Sequence, residues 1–424
     1  MSITTIAIIG LGYVGLPTAA LFASRRVRVI GVDVNERTVD TINAGNVHIN
    51  EPELDMLVQA AVHAGMLRAT TVPEPADAFL IAVPTPFQEE HRPDLDHVRA
   101  AVQSIAPVLS PGAIVILEST SPVGTTERVA RWLAAARPDL RFPVAGDGGA
   151  VDVHVAYCPE RVLPGHVVRE LVENDRIIGG LTPSCSQRAA EVYRICVAGR
   201  MHITDARTAE MCKLAENAYR DVNIAFANEL SMICGSLGIP VREMIALANH
   251  HPRVKILQPG CGVGGHCVAV DPWFIVDAAP HEARLIRTAR EVNDAKPRWV
   301  EAQIRRAIAS LVKDGRDESA LVVALLGLAF KPNVADLRES PALQVALALS
   351  TPTTVRLLAV EPNIENLPPT LGNVELADLE TAVGRADCVA VLVGHRDFAA
   401  LSRQSLAGKQ VLDFTGVLTA PEGP

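Results

Sequence analysis

Short apolar runs alternate with stretches of helical spacing through the first part of the chain. Thr5 to Ile9 reads as a buried strand, and Val27 to Val32, Ala78 to Val83, Ala113 to Leu117 and Val153 to Tyr157 repeat the pattern. Helical composition fills most of the intervals between them. Parallel strands are buried on both faces and need a crossover helix, so this alternation predicts a parallel, doubly wound sheet.

The texture changes near Thr204. Asp205 suits a helix N-cap, and no proline interrupts before Pro240. Met211, Leu214, Ala215, Ala218, Val222, Ala225, Phe226, Leu230 and Ile233 form an apolar stripe at helical spacing, and Gly238 suits the C-terminal cap. A helix of roughly 30 residues is ~45 Å long, which predicts an element that bridges domains or forms a dimer interface. Shorter helices are expected at Val241 to Asn249 and Glu282 to Asn293. Strand composition returns at Leu321 to Leu326, Val355 to Val360, Cys388 to Val393 and Gln410 to Leu412. This second alternating unit lacks the glycine signature described below. Ala420 to Pro424 reads as a frayed tail.

Composition narrows the function. With 424 residues the chain has room for two or three domains. A net charge of −9 and 4% aromatic residues argue against nucleic-acid binding, which calls for basic surfaces and stacking platforms. The longest apolar run, near Leu321 to Phe330, is far short of a bilayer span, and no basic-then-apolar leader opens the chain. No membrane association and a cytoplasmic setting are therefore expected. Eight cysteines without a C-x-x-C pair support neither a disulfide scaffold nor a structural metal site.

Gly10-Leu11-Gly12-Tyr13-Val14-Gly15 follows the first strand and opens a helix, and Asp33 ends the next strand. Gly10 permits the tight turn, Gly12 lets backbone approach a pyrophosphate, and Gly15 allows close helix–strand packing. The helix N-terminus favours the anion, and Asp33 would accept from a ribose and repel a 2′-phosphate, pointing to NAD. Gly260 to Gly265 also fits the glycine pattern, but it follows Pro259 rather than a strand and reads as a loop leading to Cys267.

Other chemistry-bearing residues gather around this frame. Cys267, at the exit of the glycine loop, could act as a nucleophile or simply pack. Asp271 before Pro272 fits a helix N-cap as well as a site acid. Lys213 and Asn217 share a helix face, Arg220 and Asp221 continue the polar stripe, and a solvated surface or an oxyanion site would both explain it. Thr120 and the Glu160-Arg161 pair follow predicted strands, where ligands gather in parallel sheets. Arg253, Lys255, Lys331 and Arg338 offer local positive charge.

Taken in order, Ile9 to Gly15, Glu118 to Thr125, Lys213 to Asn217, Gly260 to Cys267 and Phe330-Lys331-Pro332 with Asp336 to Ser340 resemble the nucleotide-sugar dehydrogenases, over nearly the whole chain. The resemblance implies two doubly wound, Rossmann-like α/β domains joined by a long central helix and a helical middle domain, with boundaries at 1–203, 204–315 and 316–424. It implies NAD contacts at Gly10, Gly12, Tyr13, Val14, Gly15, Asp33, Arg37, Thr85, Thr120 and Arg338. It implies that Cys267 captures an aldehyde as a thiohemiacetal and carries a thioester, that Lys213 and Asn217 stabilise the oxyanion, and that Glu160 acts as base or positions water, with Asp271 and Thr120. Glu160, Arg161, Lys213, Asn217, Arg253, Lys255, Gly260, Gly264 and Lys331 would hold a UDP-sugar, with Arg253 reaching across a homodimer formed through the central helix.

Gly264 to Phe274, Tyr157 to Gly165 and His251 to Val254 resemble the branch that oxidises UDP-N-acetyl-D-mannosamine, with UDP-N-acetyl-D-glucosamine as the neighbouring alternative. The product would supply surface polysaccharide synthesis. A two-electron hydroxyacid dehydrogenase or a non-catalytic nucleotide-sugar sensor would share parts of the pattern. Two departures stand out. Pro164 occupies a position where some relatives carry a second glutamate, and Thr415, in Asp413-Phe414-Thr415-Gly416, stands where relatives often carry a basic residue.

Overall fold

The computed structural model describes residues 3–49, 51–88, 91–144, 149–163, 165–265, 267–351 and 354–418. Pro164 and the expected tail at Ala420 to Pro424 lie outside the described residues. The chain divides into two compact units, Met1–Glu216 and Asn217–Pro424.

The first unit is built on β1 (Thr5–Ile9), β2 (Arg28–Val32), β3 (Leu67–Thr70), β4 (Ala78–Ile81), β5 (Ile114–Leu117), β6 (His154–Tyr157), β7 (Arg176–Gly180) and β8 (Met201–Asp205). They form one sheet in the order β3-β2-β1-β4-β5-β6-β7-β8. β1 to β6 are parallel, whereas β7 pairs antiparallel with β6 and carries β8 alongside. Three of these strands escape the apolar-run pattern. β3 and β8 are edges with exposed positions, and β7 ends in Gly179 and Gly180. Both glycines are needed: a Cβ on Gly179 would lie 2.3 Å from the Asp205 carbonyl oxygen.

The strand order reverses between β1 and β4, which opens a crevice beyond their C-terminal ends. Ile9 is in register with both Val32 and Ile81, so Gly10, Asp33 and Ala82 follow at one level. The second unit repeats the plan. β9 (Val322–Leu326), β10 (Arg356–Val360), β11 (Val374–Leu376), β12 (Cys388–Val391) and β13 (Gln410–Asp413) run parallel in the order β11-β10-β9-β12-β13. Its crevice lies between β9 and β12. β11, a three-residue edge, is too short to read from sequence.

Asp205 accepts from the backbone N–H and hydroxyl of Thr208 at 3.0 and 2.6 Å, which starts the long helix Ala206–Leu237. Its buried face differs from the expected stripe. Met211, Phe226 and Ile233 are exposed, while Leu214, Ala218, Asp221, Ala225, Asn228, Ser231 and Cys234 are buried. Asp221 is therefore no part of a solvated surface. The polar members of this face meet a second helix, Arg284–Lys313, which runs past Pro297 and well beyond the expected end at Asn293. Asp221 Oδ1 accepts from Arg290 at 2.6 Å and from Asn293 at 2.8 Å. Asn228 donates to Asn293 Oδ1 at 2.9 Å, and Lys296 donates to Ser231 Oγ while lying 3.8 Å from the Trp299 ring centre. Burial pulls the Lys296 ammonium down to about 8.

Removing one member of a buried ion pair strands the other, at a cost of about 3–5 kcal/mol. Asp221→Ala is expected to destabilise the second unit by that amount in urea unfolding, and Asp221→Ala combined with Arg290→Met to recover part of the loss. A single variant as stable as the parent would show that the pair is not a structural tie.

Candidate active site

The first crevice begins at the glycine loop. Gly10 has φ +93°, and a Cβ there would lie 2.7 Å from the Ala82 carbonyl oxygen. A Cβ on Gly15 would lie 1.8 Å from the Gly10 carbonyl oxygen. Gly12 is different: an added Cβ meets nothing within 4 Å, so this glycine leaves space for a ligand rather than for packing. Val14 makes no side-chain cap to helix Gly15–Ser24, and among the described residues no side chain bonds its first-turn N–H groups. Asp33 Oδ2 accepts from Leu11 N at 3.0 Å and Oδ1 from Asn35 N at 2.9 Å. The acid therefore ties down the loop while staying half-exposed beside it. This cradle fits a dinucleotide.

Beyond β4 and β5, the Thr85 hydroxyl donates to the Thr120 carbonyl at 2.5 Å, joining two predicted site residues. Beyond β6 stands Glu160, whose carboxylate accepts from Val162 N. Burial pushes its carboxyl up to about 7, against the pull of Lys213 and Arg176. Lys213, half-buried on the long helix, is thus in electrostatic reach of Glu160. Arg161 turns instead to Glu216, with contacts of 2.6 and 3.0 Å.

In the second unit Asn217 donates to Asp271 Oδ2 at 2.5 Å. Asp271 is buried and is the first residue of helix Asp271–Ala278 rather than its N-cap, and its carboxylate meets Asn217. Asp271 N donates to the Cys267 carbonyl at 2.8 Å, which places the half-buried cysteine one turn upstream. His266 lies outside the described residues. The preceding loop packs tightly: a Cβ on Gly264 would lie 2.4 Å from the Glu339 carbonyl oxygen, and one on Gly265 2.8 Å from the Phe330 ring. Gly260, in contrast, has open space around its Cα and donates its N–H to Asn228 at 2.9 Å.

That space belongs to a cavity of about 440 Å³ at the second switch point. Gly260, Gly262, Lys331, Val393, Gly394 and Thr415 are among its walls. The site therefore joins a glycine loop to the ends of β9, β12 and β13. Domain by domain, the sequence matches the UDP-glucose/GDP-mannose dehydrogenase family: its NAD binding domain over residues 4–197, central domain over 207–295 and UDP binding domain over 324–420. The chain belongs to this family. It is an NAD-dependent oxidoreductase.

Among curated relatives, the chain is 59% identical to an NDP-N-acetyl-D-galactosaminuronic acid dehydrogenase of Ralstonia nicotianae, over 98% of this chain and 96% of that one. It is 58% identical to the UDP-N-acetyl-D-mannosamine dehydrogenase of Escherichia coli, over 98% of this chain and all of that one (100%). Among solved structures it matches a UDP-D-ManNAc dehydrogenase from Pyrococcus horikoshii with a TM-score of 0.86 and 38% identity, covering 99% and 97% of the two chains.

Other residues singled out in the sequence lie on exposed segments, and the Arg338 carbonyl accepts from Gly265 N of the glycine loop at 3.2 Å. Arg253 and Lys255 are exposed on the segment before the glycine loop, Arg37 is exposed on helix Glu36–Asn43, and Arg338 pairs with Asp336 at 2.6 Å. Sequence reading also missed a buried pair. Glu361, after β10, accepts from Leu328 N at 2.8 Å, Ala329 N at 2.9 Å and His395 Nε2 at 3.0 Å. These donors hold its carboxyl at about 2. Gly327, with φ +92° and its N–H on the Val360 carbonyl at 2.8 Å, repeats the place of Gly10, whose N–H meets Val32 at 2.8 Å. The signal was present in Gly327 and Glu361, but the later fingerprint positions are Ala329 and Pro332.

The glycines separate packing from binding. Gly12→Ala is expected to fold normally yet weaken NAD at least tenfold by calorimetry, because its Cβ would occupy ligand space. Gly15→Ala is expected to lower the thermal midpoint, because its Cβ would meet backbone. Equal effects of the two on folding would contradict the assignment.

Proposed function

We propose that the chain oxidises the 6-hydroxyl of UDP-N-acetyl-D-mannosamine to the carboxylate of UDP-N-acetyl-D-mannosaminuronate, removing four electrons per sugar. The observation that carries this reading is 58% identity along the full length of the Escherichia coli UDP-N-acetyl-D-mannosamine dehydrogenase. Cys267 at the exit of a tightly packed glycine loop fits it.

NAD, when bound, accepts one hydride for each two-electron step. In the first unit, Gly10, Gly12, Gly15 and Asp33 would hold it. Glu160, with its carboxyl near neutrality, is suited to take the proton of the sugar hydroxyl or of water. Lys213 and Asn217 would stabilise oxyanions, with Asn217 oriented by Asp271. The Cys267 sulfur adds to the aldehyde carbon, giving a thiohemiacetal. Loss of a second hydride makes it a thioester, and water then cleaves the C–S bond, leaving the acid and a restored thiol. Covalent capture keeps a reactive aldehyde in place between the two oxidations. Lys331 and Gly260 would hold the UDP moiety in the second-unit cavity.

The Ralstonia relative supports a second reading, an N-acetyl-D-galactosamine nucleotide, at 59% identity. NADH formation across a panel of UDP-N-acetylhexosamines separates the epimers. The three-part organisation with boundaries near 203 and 315 is supported by the three family models. Tyr219, Phe226 and Ile233, exposed at seven-residue spacing on the long helix, support a homodimer through that face.

Cys267→Ser is expected to keep NAD affinity in calorimetry and to lose production of the acid. Acid formation at the parent rate would remove Cys267 from the reaction. With Glu160 as base, kcat/KM should rise with pH through about 7 as the carboxyl ionises, and Glu160→Gln should flatten that limb. An unchanged limb in Glu160→Gln would assign the titration to another group.

A further inference from the structure

The cavity at the second switch point is poor in charge for the ligand assigned to it. Among the described residues, Lys331 is the sole charged one in its lining. Each phosphate of a diester linkage carries about one negative charge, so the diphosphate of a nucleotide sugar brings two. The turn after β13 offers no cation of its own. Thr415 occupies the slot where the resemblance leads one to expect a basic residue, and its hydroxyl donates to Asp413 at 3.0 Å. Asp413 also accepts from the backbone N–H groups of Thr415, Gly416 and Leu418 at 2.9, 2.6 and 3.0 Å. Its carboxylate is thus directed into the turn.

A cation reaches this turn from elsewhere in the same unit. Arg242, the second residue of helix Val241–Ala248, donates to the Phe414 carbonyl at 2.9 Å and to Gln258 Oε1 at 3.1 Å. Gln258, Thr415 and Gly416 line the cavity, and Arg242, which is not in its wall, adjoins it through Gln258 and Gly416. The guanidinium lies against Gly416, which has φ +79°; a Cβ there would sit 2.4 Å from Arg242 Cζ. Glycine at that position leaves the guanidinium room to stay. Arg242 makes no ion pair among the described residues, although Asp413 lies in electrostatic reach, and two hydrogen bonds leave three of its five N–H groups for other partners.

We infer that Arg242 is the second cation of the nucleotide cavity, binding the phosphates of a nucleoside diphosphate and standing in for the basic residue that Thr415 replaces. The inference rests on reading this cavity as the UDP site and names the residue that completes its charge. Recognition is by charge-assisted hydrogen bonds from a guanidinium, which suit phosphate oxygens.

The test uses the full chain and calorimetric titration with UDP and, separately, uridine. A hydrogen bond to a charged group contributes about 1.5–3 kcal/mol, so Arg242→Gln should weaken UDP about 10- to 100-fold. Uridine, which lacks phosphate, should bind as before, and so should NAD. Adding Thr415→Arg to Arg242→Gln should restore much of the UDP affinity. UDP binding unchanged in Arg242→Gln but lost in Lys331→Gln would overturn the role of Arg242 while keeping the cavity as the UDP site. Equal loss of UDP and uridine in Arg242→Gln would reduce Arg242 to a structural prop, and failure of Thr415→Arg to restore UDP would overturn the replacement. UDP binding unchanged in both Arg242→Gln and Lys331→Gln would overturn the reading of the cavity itself.

Discussion

A ladder of buried polar contacts between the helices Ala206–Leu237 and Arg284–Lys313 holds the second unit's chemistry in place. Asp221 faces Arg290 and Asn293, Asn228 faces Asn293, and Ser231 faces Lys296. Apolar faces can slide, but a hydrogen-bonded series fixes register, because each misplaced step would leave a buried polar group unpaired. The consequences reach the site from two directions. Asn228 also accepts the Gly260 N–H and so anchors the start of the glycine loop. One turn before Asp221, Asn217 meets Asp271, which follows Cys267 by one turn. The segment carrying the thiol is thereby held at both ends by one helix.

The two sheets share a second constraint. Each has a positive-φ glycine after its first strand whose N–H bonds the end of the neighbouring strand, and each has an acid there that binds the loop. The outcomes differ because the partners differ. Asp33 accepts one backbone N–H on each oxygen and remains half-exposed. Glu361 is buried and bonded to His395 and two loop N–H groups, so it shapes the loop that carries Lys331 and presents no acid to a ligand. One plan thus yields a dinucleotide cradle in the first unit and a cavity of different chemistry in the second.

Much of this was legible in the sequence. Continuous apolar runs marked the central strands because those strands are buried on both faces. The glycine fingerprint was legible because its spacing answers to backbone geometry. Edge strands β3, β8 and β11 were not, since half-exposed or three-residue segments leave little periodic signal. The long helix was seen, but its buried face was misjudged. Hydrophobic spacing cannot reveal that Asp221, Asn228 and Ser231 are inside, because their partners lie some 65 to 72 positions further along. For the same reason Arg242 carried no local mark, whereas Cys267 and Lys213 stood within recognisable motifs.

In the proposed chemistry Cys267 holds the half-oxidised sugar so that four electrons leave before the product does. The most direct test is to count NADH against limiting UDP-N-acetyl-D-mannosamine in a reaction run to completion. Two NADH for each sugar are expected, with no free aldehyde trapped by an added amine. One NADH per sugar, with the aldehyde recovered in the trap, would contradict this chemistry.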